Sequence, residues 1–278
     1  MGELIRVSRG LWRPADQVGE LGGRCAALLT VCPDGAVVAG LAAGLIHGTW
    51  LPEVAERERI ETILRRNVEV PRAFARSKRG ELNGRRRQLL PDEISIVDGV
   101  PVTSPARTWI DLAERLSLPD LIAAGDSVLR MGVPPAELAE MVRRARRRRG
   151  VVRARAALPL LNARSRSRPE SHLRYALVSC GLPEPKVNVA IFSAVGEWLA
   201  EPDLHYDEAR LALEYNGADH ADVKRMRRDI TRALDVAQRG RWRVEVFGPA
   251  EVFNRPDQTA LWVREIYRER VGNRSQAG

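Results

Sequence analysis

The run from Pro202 to Gly217 constrains the fold more than any other part of the chain. Pro202-Asp203 is separated by ten residues from Glu214-Tyr215-Asn216-Gly217, and apolar residues alternate through Leu211 and Leu213 into the glutamate. Such alternation is a strand signal, because successive side chains leave a pleated backbone on opposite faces. Two carboxylates, Asp203 and Glu214, are therefore expected on neighbouring strands of one sheet. A glutamate closing the apolar run Leu211-Ala212-Leu213 is costly to bury without a partner or cation. Gly217 lets the backbone turn close to it.

The surrounding elements read as helix, three strands, helix, strand. Helix is expected over 169–180 and strands over 186–192, 197–204 and 209–215. A long helix follows over 219–239, then a strand over 242–247 and a closing helix over 258–270. The first half reads as a short strand pair over 4–14, small-residue helices over 22–32 and 36–47, and a strand over 59–70. Asp98-Gly99 between two apolar runs predicts a hairpin, since that dipeptide accepts the positive φ angles of a type I′ turn. Ser104-Pro105 predicts a capped helix through Leu116, with further helices over 119–130 and 135–149. The expected class is α/β of the α+β kind: an αβββαβ domain over 168–278, preceded by a mixed, mainly helical domain over 1–149 and an arginine-rich linker over 150–167.

At 278 residues, 44% of them apolar, the chain has enough material for packed cores. Its most apolar run, Ala36 to Ile46, is too short to cross a bilayer. Met1 to Arg6 lacks the basic start and apolar core of a cleavable leader. The three scattered cysteines, Cys25, Cys32 and Cys180, form no CxxC pair, so a reducing compartment and a cytoplasmic protein are expected.

The net charge of +9 is concentrated in one place. Residues 1–140 carry 18 basic and 19 acidic side chains and residues 168–278 carry 17 of each, so the excess sits between Met141 and Ser167, where ten arginines meet no acid. Leu138, Met141, Val142 and Ala145 form an apolar helical stripe, and arginines in a last turn before Gly150 complement the helix dipole. Ten uncompensated charges exceed what capping needs. Arg146, Arg147, Arg148 and Arg149 are thus candidates for phosphate contact with DNA, as are Lys224 and Arg228 on the long helix.

Hydrolysis of a phosphodiester needs a metal that neutralises the phosphate and lowers the pKa of the attacking water. Magnesium takes oxygen ligands, one or two of them carboxylates, so Asp203 and Glu214 are the expected ligands of Mg2+ or Mn2+, with Glu170 as a third. Ser167-Arg168-Pro169-Glu170 also reads as a capping box, in which the glutamate reaches back to the N-cap amide. Asn216 can hydrogen-bond a water without stabilising its deprotonated form as a cation would. His220 is a candidate general base or leaving-group acid, and Asp229 is equally able to pair with Arg225 or Arg232.

At these residues the second half resembles the endonuclease-like domains related to very-short-patch repair (Vsr) endonucleases. The matching pieces are Ser167-Arg-Pro-Glu-Ser-His-Leu-Arg174, Pro202-Asp-Leu204, Leu213-Glu-Tyr-Asn-Gly217 with His220, Arg227-Arg-Asp-Ile230 and Trp242-Arg-Val244. The resemblance implies a PD-(D/E)XK fold and DNA endonuclease chemistry carried by Glu170, Asp203 and Glu214. Where relatives often have aspartate, this chain has Asn216. The first half is similar to AbiEi-type antitoxins of abortive-infection systems, through Val7-Ser-Arg-Gly-Leu-Trp-Arg-Pro14, Val38 to Gly48, and Asp98 to Ala113. That resemblance implies DNA binding and a partner toxin. Relatives begin with a winged helix-turn-helix; here the chain starts at what resembles the wing strand, so the recognition helix is expected to be missing.

Two functions follow as expectations. The first is a magnesium-dependent DNA endonuclease of defence or repair type. The alternative is a non-catalytic DNA-binding regulator, the antitoxin of an abortive-infection toxin-antitoxin system.

Overall fold

The computed structural model describes residues 4–8, 11–14, 21–32, 34–53, 68–70, 85–193, 195–217 and 241–275. The chain is of the α+β class and divides into two compact units, Met1–Leu161 and Asn162–Gly278.

The first unit opens on the antiparallel strands β1 (Leu4–Ser8) and β2 (Leu11–Pro14), followed by α1 (Leu21–Leu29). A second sheet joins β3 (Val37–Val38), β4 (Val68–Val70), β5 (Arg85–Arg86), β6 (Ile94–Val97) and β7 (Val100–Thr103) in the order β5-β4-β3-β7-β6. The β6–β7 turn is the one the dipeptide specifies, with Asp98 at φ 48° and Gly99 at φ 77°. The helix α2 (Gly40–Ile46) is shorter than expected, because Val37 and Val38 are taken into the sheet between β4 and β7. Cys25, Leu28, Val38, Ala42, Ala43, Val100 and Val102 pack between these helices and the sheet.

Helix α3 (Pro105–Leu112) starts as the sequence predicts, with Pro105 in its first turn and the Arg107 amide donating to the Ser104 hydroxyl at 3.4 Å. It ends four residues earlier than expected. Then come α4 (Leu118–Arg130) and α5 (Pro135–Arg144). Trp109 is fully buried and its indole N–H donates to the Leu121 carbonyl at 2.9 Å, which ties α3 to α4. The stretch expected as a linker instead holds α6 (Val151–Ala157), whose Val151, Ala154 and Ala157 are buried. Their spacing of three is a narrow apolar stripe, enough to dock a short helix.

In the second unit α7 (Arg168–Ser179) precedes a sheet of β8 (Lys186–Val187), β11 (Leu204–Tyr206), β12 (Leu211–Tyr215) and β13 (Arg243–Phe247), in the order β13-β12-β11-β8. β8, β11 and β12 run antiparallel and β12 runs parallel to β13. A separate hairpin forms from β9 (Ile191–Phe192) and β10 (Trp198–Ala200). Two of the expected strands are thereby broken. The first is interrupted at Asn188, which has φ 48°, and the second at residues 201–203, where Pro202 cannot donate to a ladder. The closing helix α8 (Pro256–Ser275) packs on α7 and the sheet, burying Leu173, Leu177, Leu204, Leu211, Leu213, Phe247, Val263 and Ile266. The expected helix over 219–239, and residues 59–67 of the expected strand over 59–70, lie outside the described residues. Among the described residues no helix is long and apolar enough to cross a membrane, and the three cysteines are free thiols.

Candidate functional site

The arginine-rich segment is a turn between α5 and α6, and much of its charge is spoken for. Arg143 and Arg144 both pair with Glu140, at 2.5 and 2.8 Å, and Arg144 also reaches Asp92 at 2.6 Å. Hydrogen bonds from the two guanidiniums hold the Glu140 carboxyl down at about 2. Arg148 lies 2.9 Å from Asp111, which in turn lies 3.0 Å from Arg107, and Arg107 is 2.9 Å from Glu93. The result is an alternating chain of four charges in which Arg107 is wholly buried. Arg149, on the rim, is 3.5 Å from Glu114. The ten arginines meet no acid only along the sequence; in three dimensions acids from outside the run reach five of them, Arg143, Arg144, Arg148, Arg149 and Arg166. Arg148 is therefore not the open phosphate contact that the sequence suggested.

Two backbone contacts seat this turn. Arg153 donates to the Ala113 carbonyl at 2.7 Å, satisfying an orphan acceptor at the end of α3. Gly150, at φ 82°, lies so close to Ala113 that a Cβ there would sit 2.4 Å from its carbonyl carbon. Arg146, Arg147 and Arg155 are exposed and have no ion pair or hydrogen-bonding partner for their side chains among the described residues.

In the second unit the β11–β12 register begins with Leu204 opposite Leu213, so Asp203 lies one residue before the paired stretch and Glu214 one residue after it. Asp203 does meet β12, but through the backbone of Tyr215. Asp203 precedes β11 instead of lying within the strand, and its Oδ2 accepts the Tyr215 amide at 2.8 Å. Glu170 is buried and has both carboxylate oxygens engaged. Oε2 accepts from the Arg166 amide at 2.9 Å and from Asn188 Nδ2 at 2.7 Å, and Oε1 accepts from the Ser167 hydroxyl at 2.8 Å. The backbone amide it reaches is thus that of Arg166, one residue before the N-cap. Asn216 is exposed, its amide donating to the Phe247 carbonyl at 2.8 Å. His220, Lys224, Arg228 and Asp229 lie outside the described residues.

A magnesium ligand needs free carboxylate lone pairs, and three of the roughly four on Glu170 already accept hydrogen bonds, so it is poorly suited to be a third ligand. Among the described residues no group of three or more His, Cys, Asp and Glu side chains is placed to hold a metal ion.

Two residues gain importance only in the fold. Asn188 donates through Nδ2 to the Arg164 carbonyl at 2.8 Å as well as to Glu170, while its amide donates to the Asp203 carbonyl at 2.9 Å. It links the start of α7 to the residue before β11, and its left-handed backbone, common for asparagine, is the one available signal. His205 is buried with its ring edge-on to Trp242 at 5.5 Å, its Nε2 3.3 Å from Asp207 and its Nδ1 without a hydrogen-bond partner among the described residues. Burial lowers its pKa, against the pull of Asp207 and with the push of Lys186.

Two uncharacterized proteins of Mycobacterium tuberculosis, one from each of two strains, are similar to this chain, each 33% identical over 178 residues. The similarity covers 63% of this chain and 65% of each relative, just under two thirds of their length. No solved structure matches. The family match ends before the second unit begins: residues 36–160, most of the first unit, fit the family described as the AbiEi antitoxin C-terminal domain.

Proposed function

We propose that this chain is a DNA-binding regulator of antitoxin type, working in the cytoplasm beside a partner toxin. The observation that carries the reading is the antitoxin-domain match over residues 36–160. The arginine turn between α5 and α6 lies inside that matched stretch and supplies charge suited to phosphate. Regulation of this kind needs no bond-breaking step. It needs a protein that holds DNA reversibly and in a salt-dependent way. The test is a gel-shift titration with the DNA upstream of the chain's own gene, paired with a reporter driven by that DNA. Retarded DNA and a repressed reporter support the reading, and an unshifted fragment with an unaffected reporter removes it.

A second reading, a metal-dependent endonuclease, is supported by the contact of the Asp203 carboxylate with the Tyr215 amide, next in sequence to Glu214. Nicking of supercoiled plasmid with magnesium or manganese, abolished by Glu214→Ala, would move the assignment there.

A further inference from the structure

We infer that Arg146, Arg147 and Arg155 are the phosphate-contacting side chains of the first unit, and that Arg148 and Arg153 act as positioning residues that fix the segment presenting them. The inference rests on the DNA-binding reading and deepens it by dividing the arginines into two groups. The division follows from their partners. Arg148 is committed to Asp111 at 2.9 Å and Arg153 to the Ala113 carbonyl at 2.7 Å. Arg146, Arg147 and Arg155 are exposed and, among the described residues, have no acid or carbonyl to satisfy their guanidiniums.

Geometry supports the same division. On α6 the buried positions are Val151, Ala154 and Ala157, so Val152 and Arg155, three residues apart, share the opposite, outward side. Arg146 and Arg147 lie in the turn immediately before Gly150, whose backbone is packed against Ala113. All three free guanidiniums therefore project from one short segment that is pinned at both sides of the turn. Pinning matters for affinity, since a surface already ordered loses less entropy when it binds. Arginine's planar fork suits phosphate oxygens, and Arg155 adds a contact outside the run of four that the sequence made conspicuous.

A duplex fits this surface better than a membrane does. Val152 is the one large apolar side chain exposed on α6, so the helix has no apolar face to sink into a bilayer.

The experiment measures the affinity of the full chain for a random-sequence duplex as a function of salt. It compares wild type, the triple variant Arg146→Gln/Arg147→Gln/Arg155→Gln, Arg155→Gln alone, and Arg130→Gln as an exposed charge change elsewhere. If each arginine contacts one phosphate, the slope of log affinity against log salt becomes shallower by about 2.7 in the triple variant and about 0.9 in Arg155→Gln. Arg130→Gln keeps the wild-type slope, and all variants keep the wild-type melting temperature because no partner is lost. A wild type that binds duplex while the triple variant keeps its slope would overturn this assignment and leave the regulator reading standing. A wild type that binds no duplex would overturn both. Binding to phosphatidylglycerol vesicles in preference to duplex would point to a membrane surface and overturn the assignment as well.

Discussion

Arg148 and Asp111, separated by 37 residues, meet at 2.9 Å and fasten the arginine turn to the helix whose start is set by Ser104 and Pro105. Asp111 is shared: its other oxygen accepts from Arg107, which is wholly buried and also engages Glu93. Asp111→Ala leaves two guanidiniums short of an acceptor, one of them inside the protein. Removing one partner of a buried pair costs roughly 3–5 kcal/mol, whereas loss of a partly exposed outer partner costs about 1 kcal/mol or less. Asp111→Ala is expected to lower the urea midpoint strongly and Arg148→Ala slightly. Equal midpoints for the two variants would mean that the chain of charges is not organised around Asp111.

Gly150 tests the seat of the same turn without touching a charge. Its φ of 82° is a conformation that side chains resist, and an added Cβ would meet the Ala113 carbonyl carbon at 2.4 Å. Gly150→Ala is expected to destabilise by more than about 1 kcal/mol, measured as a lower melting temperature. A variant as stable as wild type would show that the turn can lift off Ala113.

Much of the first unit was legible because its signals are local. Asp98-Gly99 fixes its own turn and Ser104-Pro105 its own helix start, whatever the rest of the chain does. Val37-Val38 was misread as helix because a two-residue strand is defined by its neighbours β4 and β7, which are far away in sequence. The helix α6 was hidden among arginines, its only mark being three small buried residues. The pairing of Arg148 with Asp111 and of Arg144 with Asp92 is likewise invisible to a count of neighbouring charges. In the second unit the strand β12 is readable from the alternation into Glu214, whereas the break that leaves Asp203 before β11 is not. The engagement of Glu170 was only half readable, since Asn188 arrives from another element.

His205 gives the second unit a predicted acid sensitivity. Its ring lies against Trp242 and Asp207, the charges of Lys186 and Glu208 also act on it, and burial sets its folded-state pKa below the ordinary 6.5. A base with a depressed folded-state pKa takes up its proton more readily when unfolded. Its contribution is thus complete above about pH 6.5 and is lost as pH falls below it. His47, lowered by burial in the same direction, adds to the trend in the first unit. The urea midpoint of wild type is expected to fall between pH 7.5 and 5.5 (roughly one unit either side of the free histidine value). His205→Gln should flatten part of that fall, and an unchanged profile would show that His205 titrates normally.

Glu170 decides between an architectural carboxylate and a metal ligand. Three donors converge on it: the Arg166 amide, the Ser167 hydroxyl and Asn188 Nδ2. In Glu170→Ala all three lose this acceptor, Asn188 in a buried setting and the Arg166 amide and Ser167 hydroxyl in partly buried ones, at about 1–3 kcal/mol for each donor left buried and unsatisfied. Glu170→Gln keeps two acceptor lone pairs on one oxygen but turns the other position into a donor facing donors, so it should also destabilise. An architectural role predicts that both variants melt well below wild type and that added magnesium does not change the melting temperature of wild type. A metal-ligand role predicts the reverse: magnesium raises the wild-type melting temperature, by preferential binding to the folded state, and the increment disappears in Glu170→Gln. The geometry selects the first outcome, because a carboxylate already holding three donors gains least from a cation and loses most when it is removed.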